Sequence, residues 1–335
     1  MAFNVGQAPV GILSRALTGN IFVEQNLAYM NEGNKDGYNV YKYDLKNVLT
    51  AAVADPTFSD DAEKANFKRS LTVLQSQQSF DPAEYHAYWL EYQPSGEFQW
   101  ETLPTQVQQT MEELFLGSAA EAAESALTND DGTLLGANSA TTDGGIIDQL
   151  LQASLVSLDG ATPTPAQVVA NNRISFRADA DGTNDNLGVA LTTANVFKKL
   201  ELLIKNQTKE MRKRPNRKFM ISNATADLIT EAQRLELNFK GVDVTEEGIL
   251  RYAGYDLVQN PQFPDNSILF CSMGGDMKTD AIQLGTSLSS DFNNLAVDRI
   301  SNFNRKWGML VTFALDIFVV RPEEVCFYSD QSQAS

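Results

Sequence analysis

The sequence predicts an α+β protein, and three observations predict it. Residues 38–45, YNVYKYDL, place aromatic or apolar side chains at 41, 43 and 45, the two-residue period of a strand. From 104 the apolar spacing becomes helical, and it does so again over 145–155 and 193–214. The late runs 281–284, 295–303, 309–320 and 324–329 are rich in β-branched and aromatic residues, which favour strands.

The elements follow in order. Residues 1–33 show little periodicity and are punctuated by Gly6, Pro9, Gly11, Gly19 and Gly33, so they read as an extended arm lying on another surface. The strand at 38–45 is followed by a polar, turn-rich stretch and then by SLTVL at 70–74, which predicts a long hairpin over 38–79. A second hairpin is predicted in HAYWLEYQPSGEFQWETL, turning at Pro94-Ser95-Gly96. Neither hairpin has a private core, and an aromatic ribbon without one must be covered by something.

Pro104 suits a first helical turn, and Val107, Met111, Leu114, Phe115, Ala119, Ala122 and Ala126 continue the helix to a stop at Asn129-Asp130-Asp131-Gly132. Ile146, Ile147, Leu150, Leu151 and Leu155 predict a short amphipathic helix. A helix capped by Thr193 runs to Arg214, with Val196, Leu200, Leu203, Ile204, Gln207 and Met211 as its stripe, and Pro215 ends it. KFMIS at 218–222 is a strand; Asn223 caps a helix to about Asn238 with Leu228, Ile229, Ala232 and Leu235 inward. Two short strands, 255–258 and 267–271, flank a turn set by Pro261 and Pro264.

Bulk properties narrow the function. A chain of 335 residues suggests about two domains, or one with large excursions. The net charge of −17 opposes non-specific adhesion to nucleic acid or anionic lipid. The longest apolar run, 309–320, is interrupted by Thr312 and Asp316 and is too short to span a bilayer. The first residues have no basic region ahead of an apolar one, so no signal peptide is expected, and a cytoplasm is the expected site of synthesis. Cys271 and Cys326 both sit in apolar strand-like runs. Two buried thiols are the plainer reading, and one disulfide is the alternative.

Catalytic and metal motifs are sparse. The single histidine, His86, lies among aromatic strand residues and reads as structural, which leaves no Ser-His-Asp or Cys-His arrangement. One histidine and two cysteines do not furnish a four-ligand zinc site. No phosphate-binding glycine loop occurs. DADGTNDN at 179–186 approaches a cation loop, but Ala190 stands where the twelfth-position Glu belongs, so it reads as a solvated turn. Adjacent acids such as Glu112-Glu113, Glu246-Glu247 and Glu323-Glu324 read as wet surface. Asn206-Gln207-Thr208 matches a glycosylation acceptor but falls inside the predicted helix. KEMRKRPNRK at 209–218 is the one basic cluster. Arg212, Lys213 and Arg214 are its candidates for contact with phosphate or an acidic partner, against the plainer reading of cations at a helix C-terminus. No catalytic residue, cofactor or metal is expected.

Taken in order, these segments resemble the tailed-phage major capsid protein family, the Hong Kong 97-type capsid fold, over nearly the whole chain. Residues 1–33 resemble that family's N-terminal arm, 38–79 its E-loop extension, and 104–127 its spine helix. TDGGIIDQLL at 142–151 looks like the turn and short helix after the spine. LTTANVFKKLELLIKN…RKFMISNATADLITEAQ resembles the opening of the axial domain, and YAGYDLVQNPQFPDNSILF its strand–turn–strand. LGTSLSSDFNNLAV and GMLVTFALDIFVVRPEEVCFYS look like the closing strands.

The resemblance implies an organisation. It comprises an arm at 1–35, an E-loop at 36–80, a peripheral domain at 81–150 and 280–315, an axial domain with a central sheet flanked by helices at 151–279 and 316–330, and a flexible tail at 331–335. It implies a non-enzymatic virion subunit, assembled in the host cytoplasm, that forms pentamers and hexamers of an icosahedral head around double-stranded DNA. Portal, separate scaffolding and decoration proteins are then partners, DNA contact is weak and non-specific, and no membrane is involved. Tyr41, Tyr43, Phe67, Trp89 and Trp100 are the expected subunit-interface residues. Lys42, Lys46, Lys64 and Lys68 match no cross-linking motif, and no cross-link is expected. Either hairpin, 38–79 or 85–103, fits the long extension. The competing readings are a soluble carboxylate-dependent hydrolase, with 159–191 as its active-site loop, and a tail or decoration subunit.

Overall fold

The structure is a computed structural model that describes residues 21–33, 37–45, 62–80, 105–130, 133–135, 144–152, 176–178, 190–235, 242–244, 250–287, 295–301 and 304–330. The first half contributes α1 (Ile21–Glu24), β1 (Tyr29–Gly33), β2 (Tyr38–Leu45), β3 (Ala62–Arg69), β4 (Thr72–Phe80), α2 (Thr105–Asn129) and α3 (Ile146–Gln152). The middle contributes β5 (Phe176–Ala178), α4 (Val196–Lys205), α5 (Lys209–Lys213), β6 (Arg217–Ile221), α6 (Asn223–Leu235), β7 (Val242–Val244), β8 (Leu250–Tyr252), β9 (Tyr255–Gln259) and β10 (Ile268–Ser272). The tail adds β11 (Ile282–Ser287), β12 (Leu295–Ser301), β13 (Asn304–Val319), a 3₁₀ turn (Pro322–Glu324) and β14 (Cys326–Tyr328). The predicted α+β class holds.

Two sheets and a ribbon organise these elements. The larger sheet runs β5-β14-β10-β6-β9-β8-β7. Its central strands bury both faces. Along β10, Ile268 and Phe270 join the cluster under α4 and α6, while Leu269 and Cys271 join the main core on the other face. A strand covered on both sides has no polar face to show, which is why ILFC and FMI read as unbroken apolar runs. The second sheet has the order β1-β11-β13-β12, with β4 on the opposite side of β13. Its β13 is 16 residues long and carries β12 and then β11 along one side and β4 along the other. Helices α2 and α3 cover one of its faces. The ribbon is β2 paired with β3, from Tyr38 opposite Arg69 to Leu45 opposite Ala62.

Several expectations are corrected. The ribbon returns along 62–69 rather than 70–74; residues 72–80 instead form β4 and pair with β13. The long helix occurs where predicted, but its buried stripe is Phe115, Leu116, Ala119, Ala120, Ala123, Ala126 and Leu127. Leu114 and Ala122, assigned inward, are exposed. The helix expected over 193–214 is two helices. The Asn206 side-chain amide shares Leu202 O (2.9 Å) with its own backbone N–H, and the Gln207 side-chain amide donates to Ile204 O at 2.8 Å, a carbonyl that a continued helix would give to Thr208 N. Thr208 then starts α5 by accepting from Met211 N. So 206–208 is a break, not a helix interior.

Helix α4 begins without a Thr193 cap; the Asn195 side-chain Oδ1 accepts from Thr192 N at 2.8 Å. Helix α6 is capped by Ser222, whose hydroxyl accepts from Thr225 N at 3.1 Å, and Asn223 lies within it. Its buried residues are Thr225, Ala226, Ile229 and Ala232, whereas Leu235 is exposed. The strands β9 and β10 are not neighbours, because β6 lies between them, parallel to β9 and antiparallel to β10. A hairpin precedes them at β8–β9, turning at Ala253 (φ 50°) and Gly254 (φ 84°), the paired positive φ of a type I′ turn.

Cys271 and Cys326 are buried free thiols. Cys326 lies opposite Phe270 in register, so it shares that residue's face and Cys271 takes the other. Strand parity thus rules out the disulfide. Burial pushes the Cys271 thiol well above its ordinary range. The predicted second hairpin, with His86, Trp89 and Trp100, and the loop at 179–186 lie outside the described residues.

Candidate assembly surface and its buried anchor

Asp316 interrupts an apolar strand, and a carboxylate there must be paired or carry a large desolvation cost. It is buried, and Arg69 pairs with it twice: Nε donates to Oδ2 at 2.8 Å and Nη2 to Oδ1 at 2.7 Å. The Tyr38 hydroxyl donates to Oδ2 at 2.7 Å. Arg69 Nη2 also reaches Ile317 O at 3.4 Å, and the guanidinium lies 4.6 Å from the centre of the Phe318 ring. Tyr38 is the first residue of β2 and Arg69 the last of β3. The three side chains therefore lock the root of the ribbon to the long strand β13.

Close packing supports that lock. Gly285 lies opposite Asp316 on β11, and a Cβ there would collide with the Tyr38 ring. Gly37 has φ +106°, and a Cβ on it would meet the Arg69 carbonyl. Val40, Tyr38, Phe318 and Val320 close an apolar cluster around the pair.

The electrostatics follow from burial. Desolvation pushes the Tyr38 phenol well above its ordinary value, and the Asp316 charge adds to it. Desolvation lowers the Arg69 guanidinium, but Asp316 more than restores it, so Arg69 stays charged. Burial leaves the Asp316 carboxyl above its ordinary value, against the lowering pull of Arg69, Tyr38 and the Ile317 N–H. The desolvation cost of burying such a pair offsets much of its attraction.

Where β4 ends, a side chain takes over its role. Gln149 of α3 donates from Nε2 to Ile317 O at 2.7 Å and accepts at Oε1 from Val319 N at 3.2 Å. It thus satisfies two backbone groups of β13 beyond the last β4 partner.

Beyond the root, the ribbon places Tyr41 opposite Asn66, Tyr43 opposite Lys64 and Phe67 opposite Val40. Phe67 is therefore one register position out of phase with the two tyrosines.

The basic cluster is divided. Arg214 pairs inward with buried Glu324, Nε to Oε2 at 2.7 Å and Nη2 to Oε1 at 2.7 Å. Arg212 and Lys213 are exposed, and Arg212 Nη2 donates to Lys205 O at 3.1 Å. The pair Arg214–Glu324 tells against reading Glu323-Glu324 as wet surface.

Asp280 sits where the chain passes from β10 to β11. It is buried and accepts from Gly274 N and Asp276 N, both at 2.9 Å. Burial pushes its carboxyl up to about 6, against the lowering effect of those N–H groups. Among the described residues no group of three or more His, Cys, Asp or Glu side chains is placed to hold a metal, and no helix is long and apolar enough to cross a membrane. Sequence reasoning missed Tyr38, Arg69, Gln149 and Asp280. The one visible signal was Asp316, a charge inside an apolar strand that demands a partner.

No protein-family model matches the chain, and no curated protein matches it. Solved structures do. A chain of the procapsid of satellite phage P4, a structure that includes the size determination (Sid) protein, superposes with a TM-score of 0.53 at 9% identity, covering 99% of this chain and 95% of that one. A chain of the capsid of an empty GTA particle gives 0.54 at 12% identity, covering 90% and 87%. A chain of Gordonia phage Cozz gives 0.50 at 10% identity, covering 90% and 84%. At such identity the likeness is one of fold: the chain has the fold of tailed-phage capsid proteins.

Proposed function

We propose that this chain is the major capsid protein of a phage-like particle, a non-enzymatic subunit that repeats to form a shell. The observation that carries the reading is the likeness to capsid chains over 90–99% of this chain, with 87–95% of their lengths covered. In this reading the copies form hexamers and pentamers of an icosahedral head around double-stranded DNA.

The proposed parts follow the resemblance. Helix α2 serves as the spine of a peripheral domain that includes the five-stranded sheet. The seven-stranded sheet with α4 and α6 serves as the axial domain. The ribbon β2–β3 is the root of the E-loop, and the paired part of the extension ends at Arg69. Its locked root supports this role, because a ribbon that must reach a neighbour gains from a fixed direction of departure. Tyr41, Tyr43 and Phe67, with Trp89 and Trp100, are the proposed interface residues. Arg212 and Lys213 are the proposed contacts for an acidic partner or phosphate; Arg214 supports the fold instead. A portal, scaffolding protein and decoration protein are the proposed partners, and the virion is the proposed location after assembly in the host cytoplasm.

Electron microscopy and light scattering of the purified chain test this reading. Closed shells, pentamers or hexamers are expected. A compact monomer at every salt and protein concentration tried would overturn it. Tubes or isolated rings would point to a tail subunit instead.

A further inference from the structure

Sheet edges expose unpaired backbone groups, and proteins guard them by shortness, charge or bulges. Most described edges here are guarded. β12 carries Asp298 and Arg299 and has a register shift between Arg299 and Ser301. β5 and β7 have three residues each, with Arg177 and Asp243 among them. The ribbon bears Lys42, Asp44, Glu63, Lys64 and Lys68. β1 is five residues long and contains Glu32.

β4 is the exception. It pairs with β13 along its full length of nine residues, and among the described residues it has no neighbour on its other side. The run LTVLQSQQSF at 71–80 has no charge, in a chain of net charge −17. Val73 is 55% exposed, and Gln75, Gln77, Gln78 and Ser79 are exposed too.

We infer that β4 is an interaction edge for β4 of a second copy, joined antiparallel across a two-fold axis at Ser76. Charge argues for this occupant. Two copies that each carry −17 repel, and they approach most readily along an uncharged line. The chemistry is self-complementary. In this register Gln75 meets Gln77 of the second copy, whose amides both donate and accept, and Val73 meets Ser79. Residues 73–79 span about 24 Å at ~3.4 Å per residue, enough for a continuous backbone ladder. An isologous contact of this kind closes on itself and does not propagate as a fibre. The inference rests on the shell reading only in taking a second copy as the partner.

Two variants of the full chain test it. Ser76→Cys brings two thiols to about 4.5–5.5 Å between Cα atoms, within disulfide reach. Oxidation is expected to give a covalent dimer on a non-reducing gel. Gln78→Cys, which meets Leu74 of the second copy, is expected to remain uncrosslinked. Gln75→Lys with Gln77→Lys sets like charges opposite each other and is expected to reduce the largest sedimenting species, with the melting temperature of the subunit kept. No Ser76→Cys dimer, equal linking at both cysteine positions, or unchanged sedimentation of the double-lysine variant would overturn the inference. Wild-type shells that form without the Ser76 link remove this contact and leave the shell reading standing. Linked dimers that never form shells do the reverse.

Discussion

The two sheets bury their strands by different means. In the seven-stranded sheet the centre is aromatic and aliphatic throughout. Phe219 stacks on Phe270 with ring centres 4.1 Å apart, Tyr255 meets Phe270 edge-on at 5.1 Å, and helices close over the face. In the five-stranded sheet the long strand holds a buried ion pair, has its backbone completed by a glutamine, and carries an uncharged strand at its edge. Apolar packing is non-directional and fills volume. Hydrogen-bonded charge is directional and sets angles. Apolar burial serves both sheets, and in the second the ion pair also fixes the direction in which the ribbon leaves β13.

This contrast is breakable at named residues. Phe270→Ala, in the sheet held by packing, is expected to cost about 3–5 kcal/mol, because a fully buried ring leaves a cavity among tightly packed neighbours. Chemical denaturation measures it, and a loss below about 1 kcal/mol would show that this core is not the main source of stability. Asp316→Ala is expected to cost about as much, ~3–5 kcal/mol, for a different reason: it strands the Arg69 charge in a dry site. The triple replacement Arg69→Met, Asp316→Leu, Tyr38→Phe is expected to recover most of that stability. If it does, the pair is there for geometry; if the loss remains, the pair is a net source of stability and the contrast weakens.

Tyr38→Phe alone removes one hydrogen bond to a charged group and is expected to cost about 1.5–3 kcal/mol. A neutral result would place the lock in Arg69 and Asp316 alone. The smallest net change is expected at the junction between the sheets. Asp280 has a folded value of about 6 against an ordinary 3.8, so folding favours its protonated form. Its stabilising share is full below about 3.8 and is lost as pH rises through about 6. Asp280→Asn keeps one acceptor oxygen and does not titrate. The melting temperature of the wild type minus that of the variant is therefore expected to grow as pH falls from about 7 to about 4.5. A gap that stays flat or shrinks would contradict the assigned burial.

Much of the framework was legible. Helices α2, α3 and α6 and strands β2, β6, β9, β10 and β13 lie close to the predicted segments, because each repeats a local period over several residues. Phase was less legible than period. Leu114 and Leu235 fit helical stripes but face solvent, since a helix with apolar residues on several sides does not itself say which side finds a partner. Ala62–Arg69, AEKANFKR, looked polar because its only apolar residues, Ala62, Ala65 and Phe67, do not follow a sustained two-residue period. The break at 206–208 was hidden because its cause is three polar side chains competing for backbone groups.

The candidate anchor was the least legible part. Asp316 announced a need for a partner, but Arg69 lies 247 positions earlier in the chain. The strand–turn–strand at 255–271 shows the same limit. By itself the sequence determined which residues extend, which coil and which must be buried, because those follow from local sterics and apolar period. Only the tertiary structure decided that β6 lies between β9 and β10, that β4 leaves the ribbon for the sheet, and that Tyr38, Arg69 and Asp316 meet. Those choices depend on contacts between distant segments, where burial and pairing across the whole chain, rather than any local preference, set the lowest free energy.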